Sequence, residues 1–211
     1  ADYFRVEKAL WYKYFAFCFD LVLSISPRYV QRLKEIHNCN VIQIYNGIDP
    51  KIYKNFNRIR NKQILSVVNF KPQKGLIFLI NGFKSFHENY PSYKDYKLVI
   101  AGKGILFKEM EKYISQIKME NSIILIGQKN RNELIKLYNE SEIFVLPSIW
   151  EGFAKVLLEA MSCGCKVIST NVDSAPILLS DWGYMVKHSS SEEISISLKK
   201  IIENKNYNYS E

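Results

Sequence analysis

From Ile64 onward the chain keeps one rhythm: a short apolar run, then a stretch whose apolar residues fall at helical spacing. Ile64 to Val68 reads as a strand, and Leu76, Ile77, Leu79, Ile80, Phe83 and Phe86 trace a helical face. Leu98 to Ala101 repeats the strand pattern, followed by Phe107, Met110 and Ile114 on a helix. Ile123 to Ile126 precedes Leu134, Leu137 and Tyr138; Ile143 to Leu146 precedes Val156, Leu157, Ala160 and Met161. Val167 to Ser169 and Tyr184 to Val186 supply further strands before a last helix from about Glu192 to Glu203. Strands this short and apolar, alternating with amphipathic helices, imply a Rossmann-like α/β fold: a parallel sheet with helices on both faces. Such sheets bind ligands beyond the carboxyl ends of their strands.

The first residues read differently. Ala9 to Ile25 is aromatic and apolar, but Lys13 and Asp20 interrupt it, so it falls short of the run of about 20 apolar residues that spans a bilayer. A helix followed by a strand from Leu21 to Ile25 fits better, with Ser26-Pro27 opening another helix that carries Val30, Leu33 and Ile36. Val41 to Tyr45 is a second strand, closed by the turn signal Asn46-Gly47, and Lys51 to Lys62 reads as a polar link.

Composition narrows the function classes. Basic residues outnumber acidic ones by 29 to 21, a net charge of +8 that favours anionic partners. The lysines are scattered and no nucleic-acid motif is present, so nucleic acid is not the expected partner. Cys18, Cys39, Cys163 and Cys165 form no CxxC pair, and His37, His87 and His188 lie far apart, so no metal site is expected. Reduced thiols suit a cytoplasmic protein, and the basic charge suits a place at the cytoplasmic face of a membrane. The sequons at Asn139 and Asn208 are too common a pattern to carry weight.

Three segments at strand ends hold residues suited to chemistry. Asn69-Phe70-Lys71-Pro72-Gln73-Lys74-Gly75 joins a strand to a helix, where free N–H groups attract anions and two lysines add charge. Ala101-Gly102-Lys103-Gly104 is a tight turn; Phe107 stands where a dinucleotide fingerprint needs its third glycine, which disfavours a nicotinamide cofactor. The richest segment runs from Pro147 to Gly164. Glu151 falls in the loop before a helix and Glu159 within it, on the side turned away from the core. Carboxylates there accept hydrogen bonds from sugar or ribose hydroxyls, and Gly152 lets the backbone approach a ligand.

Glu151-Gly152-Phe153 through Glu159-Ala160-Met161, followed by Gly164 and Val167, resembles the Glu-x7-Glu signature of the family 4 retaining glycosyltransferases. Asn46-Gly47-Ile48-Asp49, Lys74-Gly75, Ala101-Gly102-Lys103-Gly104, Ile126-Gly127 and Phe144-Val145-Leu146-Pro147-Ser148 resemble the same family in the same order. The resemblance implies one half of the GT-B architecture, in which two Rossmann-like domains face across a cleft and the C-terminal one holds the nucleotide sugar. It implies that residues 1–45 are the last helix and strand of an N-terminal acceptor domain, 46–205 the donor-binding domain and 206–211 a tail. On this resemblance the chain lacks the rest of the acceptor domain, being a fragment or one part of a split enzyme.

Residue roles also follow from the resemblance. Glu151 and Lys74 are its expected catalytic residues, Glu151 orienting the donor sugar and Lys74 binding the diphosphate. Glu159 is expected at the ribose hydroxyls, Gly152, Phe153 and Ala154 at the sugar, and Gly127 and Gln128 at the base. Gly75 and Gly102 complete the donor site. Asn69 stands where the family has an arginine, with Lys71 as the nearest replacement cation. The implied reaction is transfer, with retention and without a metal ion, from a UDP-, GDP- or ADP-sugar to a glycan or lipid-linked acceptor. Two other readings stay open: a non-catalytic nucleotide-sugar-binding module and a nucleotide-sugar 2-epimerase of the same architecture.

Overall fold

A computed structural model describes residues 19–26, 30–31, 33–35, 40–172, 174–180 and 182–204. The first expected helix, Pro27, Ile36, His37, Cys18, Cys39, Asn208 and the tail lie outside the described residues. Two compact units divide at Asn46 and Gly47. In the first, β1 (Val22–Ser24) pairs in parallel with β2 (Val41–Gln43), Val22 opposite Val41.

The second unit alternates strands and helices. β3 (Asn61–Val67) leads through a single 3-10 turn, Pro72–Lys74, to α1 (Leu76–Asn89). β4 (Lys97–Ala101), α2 (Phe107–Gln116), β5 (Ile123–Gly127) and α3 (Arg131–Glu140) follow. Then come β6 (Ser141–Leu146), α4 (Lys155–Ser162), β7 (Lys166–Thr170), α5 (Ala175–Leu179), β8 (Gly183–Val186) and α6 (Ser191–Glu203). All six strands of this unit run parallel, in the order β5-β4-β3-β6-β7-β8. The expected Rossmann-like fold is therefore present. Each expected strand appears within a few residues of its assigned bounds, whereas α5 and the 3-10 turns at Pro72–Lys74 and Pro91–Tyr93 were not foreseen.

The chain builds outward from β3 in one direction, returns through α3 to β6, and then builds the other way. β3 and β6 are thus neighbours whose following helices leave in opposite directions, and a crevice opens above them. Apolar side chains from both faces pin this arrangement: Ile64, Leu65, Leu98, Ile100, Ile143 and Phe144 are fully buried in the sheet. Leu79, Ile80, Phe83 and Phe86 of α1 pack against it, each such burial contributing about 1.5–3 kcal/mol. Among the described residues no helix is long and apolar enough to cross a membrane.

The expected polar link is more ordered than its composition suggests. Tyr53 is buried, and the Phe56 N–H donates to Asn139 Oδ1 at 2.7 Å. Arg60 then reaches under the sheet, where its Nη1 donates to the carbonyls of Tyr138 (2.9 Å) and Ser141 (2.6 Å) and its Nη2 to Cys163 O (2.6 Å). These carbonyls lie at or beside the C-terminal ends of α3 and α4, where helical partners run out and the helix dipole is negative. One guanidinium therefore ties two helix ends to the strand that follows it. Asn139, the nearer sequon asparagine, is buried, its amide donating to Ile135 O and Lys54 O.

Arg60→Ala strands these carbonyls and is expected to cost about 2–4 kcal/mol in urea unfolding. A midpoint unchanged from the parent protein would contradict this account.

Candidate functional site

The crevice above β3 and β6 is shaped by how two loops meet. Pro72 fixes the first residue of the 3-10 turn, and Gly75 then takes a left-handed conformation, φ 61°. A Cβ on Gly75 would lie 2.2 Å from Pro147 O, so only glycine permits this contact. The Ile149 N–H donates to Gln73 O at 2.8 Å and completes the seam.

The seam carries Lys74 and Glu151 to one point, although 76 residues separate them in the chain. Lys74 Nζ lies 2.5 Å from Glu151 Oε1, with side chains only 17% and 13% exposed. Ser148 Oγ donates to the same carboxylate oxygen at 2.7 Å. Ser148 is itself fully buried, and its carbonyl accepts from Thr170 Oγ1 at 2.5 Å. A chain of contacts thus runs from β7 through Ser148 to Glu151. Sequence reasoning overlooked Ser148 and Thr170 as supports because a serine after proline signals only a turn.

A cavity of about 280 Å³ opens beside this pair. Its wall includes Asn69, Lys74, Gly102, Gln128, Glu151, Phe153 and Ala154, all expected site residues, drawn from the loops after β3, β4, β5 and β6. Lys71, Gly75, Gly127, Gly152 and Glu159 are not part of this wall. Gly75 acts instead in the seam, and Gly127 O accepts from the Gly102 N–H at 2.8 Å. The Ala154 N–H is taken by Ser174 Oγ at 3.0 Å. The rim also includes Lys103, Lys129, Lys155 and Val156, which were not foreseen as site residues. Val156 was expected to face the sheet, but α4 begins at Lys155, so its first turn stands at the rim while Leu157 and Ala160 take the buried face.

Four ammonium groups and one carboxylate make this wall cationic, suited to a ligand with a concentrated negative charge. Among the described residues no group of three or more His, Cys, Asp or Glu side chains is placed to hold a metal ion.

A parallel α/β unit of this kind belongs to the class of open sheets whose ligand crevice lies at the topological switch point. The profile of the family described as "Glycosyl transferases group 1" matches residues 49–210, and the chain belongs to that family, whose architecture is of GT-B type. It is 30% identical over 194 residues to an N-acetylgalactosamine-N,N'-diacetylbacillosaminyl-diphospho-undecaprenol 4-alpha-N-acetylgalactosaminyltransferase of Campylobacter jejuni. That match covers 87% of this chain and 48% of the relative. The C-terminal domain of a glycosyl transferase group 1 family protein (LpcC) from Francisella tularensis superposes with a TM-score of 0.65 at 27% identity. The superposition covers 74% of this chain and 88% of that one. Anabaena Alr3699/HepE, solved in complex with UDP, shares the fold at a TM-score of 0.83 and 20% identity, covering 97% of this chain and 60% of that one. The chain spans between 33% and 54% of the length of the first curated relatives it matches.

Glu159 departs from expectation in another way. It is 7% exposed rather than turned to solvent, and Tyr138 Oη donates to its Oε2 at 3.0 Å. Leu157 and Ala160 cover the sheet, and Glu159 occupies the adjoining face of α4, closed over by α3. The Tyr53 hydroxyl lies near this carboxylate as well. Burial, reinforced by the Glu159 charge, raises the hydroxyl pKa of both Tyr53 and Tyr138. Nearby, burial pushes the Cys163 thiol up to about 11 and Cys165 to about 12.

All four groups stay protonated in the folded chain at a pH where the unfolded chain has begun to lose its protons. Their stabilisation is complete below about pH 9 and is lost as pH rises through the folded values. Urea unfolding should therefore show stability falling by roughly 2 kcal/mol or more between pH 8.5 and 10.5. Cys165→Ala is expected to flatten that fall; an equally steep profile in the variant would rule out this origin.

Proposed function

We propose that this chain is the donor-binding part of a retaining glycosyltransferase that uses a nucleoside diphosphate sugar. The observation that carries the reading is the cationic cavity with Lys74 and Glu151 held together on its wall. A diphosphate offers the charge this wall complements, and a sugar hydroxyl offers the donor that Glu151 accepts. In the reaction the bond from the anomeric carbon to the β-phosphate oxygen breaks, and the electron pair leaves with the nucleoside diphosphate. An acceptor hydroxyl forms the new carbon–oxygen bond and gives up its proton to a departing phosphate oxygen. Charge gathers on the departing oxygens, and preorganised ammonium groups there lower the barrier, each such donor contributing about 3–4 kcal/mol. On this reading the lysines supply the counter-charge and no metal ion is required.

The activity for which the Campylobacter relative is named supports a lipid-linked acceptor, and the span of that relative left unmatched supports a separate acceptor domain. Residues 1–45 belong, on this proposal, to the end of that domain, and residues 46–205 bind the donor. A cytoplasmic membrane face is the matching location. Gly102, Asn69, Gln128, Phe153 and Ala154 form the rest of the donor contact, with the loop after β5 receiving the base.

Calorimetric titration with UDP, GDP and ADP tests the reading. One of the three is expected to bind, and Lys74→Met to weaken it by about 10- to 100-fold. Glu151→Gln frees Lys74 from its carboxylate, so it should bind the same nucleotide about 3- to 10-fold more tightly while failing to transfer the sugar. Absence of binding to all three would end the proposal.

A further inference from the structure

The cavity wall holds more positive charge than Lys74 supplies. Lys74 is engaged by Glu151 at 2.5 Å, and Lys129 pairs with Glu133 at 3.4 Å. Lys103 and Lys155 have no ion pair among the described residues. The strongest unengaged charge on the β3–β4 side of the cavity is therefore Lys103.

The backbone beneath Lys103 is held unusually tightly for a loop. The Phe70 N–H donates to Lys103 O at 2.9 Å, and the Leu106 N–H donates to Phe70 O at 3.1 Å. Gly102 and Gly104, with φ of 147° and 155°, flank it on both sides. A Cβ on Gly102 would meet Val68 O at 1.8 Å, and one on Gly104 would meet Phe70 O at 2.4 Å. The two glycines let the β4 loop press against the β3 loop, and the only side chain between them enters the cavity wall. This gives the Gly-Lys-Gly segment a purpose beyond a turn: it fixes the root of one ammonium group beside Asn69, on the loop that carries Lys74. Lys71 is exposed and is not part of the cavity wall, although it precedes Lys74 by only three residues. Lys71 precedes the 3-10 turn and Lys74 is its last residue.

We propose that Lys103, and not Lys71, is the second cation that holds the diphosphate of the donor. The inference rests on the donor-binding reading of the cavity. A pinned root means that only the side chain, and not the loop, has to be ordered when the ammonium meets a phosphate, and the absence of an ion pair means that no carboxylate must first be displaced.

The test is calorimetry on the whole chain with UDP, GDP and ADP and with the matching monophosphates, comparing Lys103→Met, Lys103→Arg and Lys71→Met. Lys103→Met is expected to weaken the tightest diphosphate about tenfold and its monophosphate by no more than about twofold. Lys103→Arg should restore most of the affinity, and Lys71→Met should stay within about twofold of the parent. Lys103 is exposed, so unchanged melting temperatures are expected and separate a lost contact from a lost fold. If the parent binds a diphosphate but Lys103→Met binds it equally well, or Lys71→Met loses as much, the assignment of Lys103 is overturned while the donor site stands. If the parent binds no diphosphate, the donor-site reading falls and the assignment with it.

Discussion

The ion pair between Lys74 and Glu151 organises the upper face of this protein. Both side chains are largely withdrawn from water, which is costly for charges unless each is well partnered. Glu151 meets that condition through Ser148, and Ser148 is braced in turn by Thr170 at the end of β7. On the other side, Gly75 and the Ile149–Gln73 bond press two loops close enough for the pair to form. Remove the close approach at Pro147 and the lysine and glutamate would belong to separate loops.

That arrangement exists because of where the sheet reverses direction. β3 and β6 stand side by side, and the helices that follow them leave toward opposite faces. The crevice between their ends is lined by loops far apart in sequence but adjacent in space. Lysines from the β3, β4, β5 and β6 loops therefore converge on one volume. At the opposite end of the sheet, Arg60 performs the complementary service by closing the ends of α3 and α4. The cavity opens at one rim, and the Arg60 tie lies at the other.

Much of this architecture was legible in the order of residues. The apolar runs around Ile64, Leu98, Ile123, Ile143 and Val167 became parallel strands because side chains buried on both faces must be apolar throughout. Helix α5 escaped notice because Ala175–Leu179 is a single short turn-rich segment without a repeated face. The segment from Lys51 to Lys62 looked solvated by composition, yet Tyr53 and Arg60 are tied to groups more than 70 residues away. Glu159 was placed on the outer side of its helix because the heptad-like pattern counts only contacts with the sheet. Its true neighbour, Tyr138, comes from α3. Charged and polar residues are chosen by such neighbours, and linear spacing does not reveal them.

The sequence by itself determined the repeating strand–helix order, the apolar core and the strand ends at which Asn69, Gly102, Gln128 and Glu151 would emerge. Those features depend on local periodicity and on residue type, which act over a few positions. Only the tertiary structure decided that Lys74 would meet Glu151, that Lys103 would join the cavity wall while Lys71 would not, and that Glu159 would be covered by Tyr138. Each of these depends on the close approach of one loop or helix to another, and that approach is set by the packing of the whole sheet rather than by any short stretch of chain.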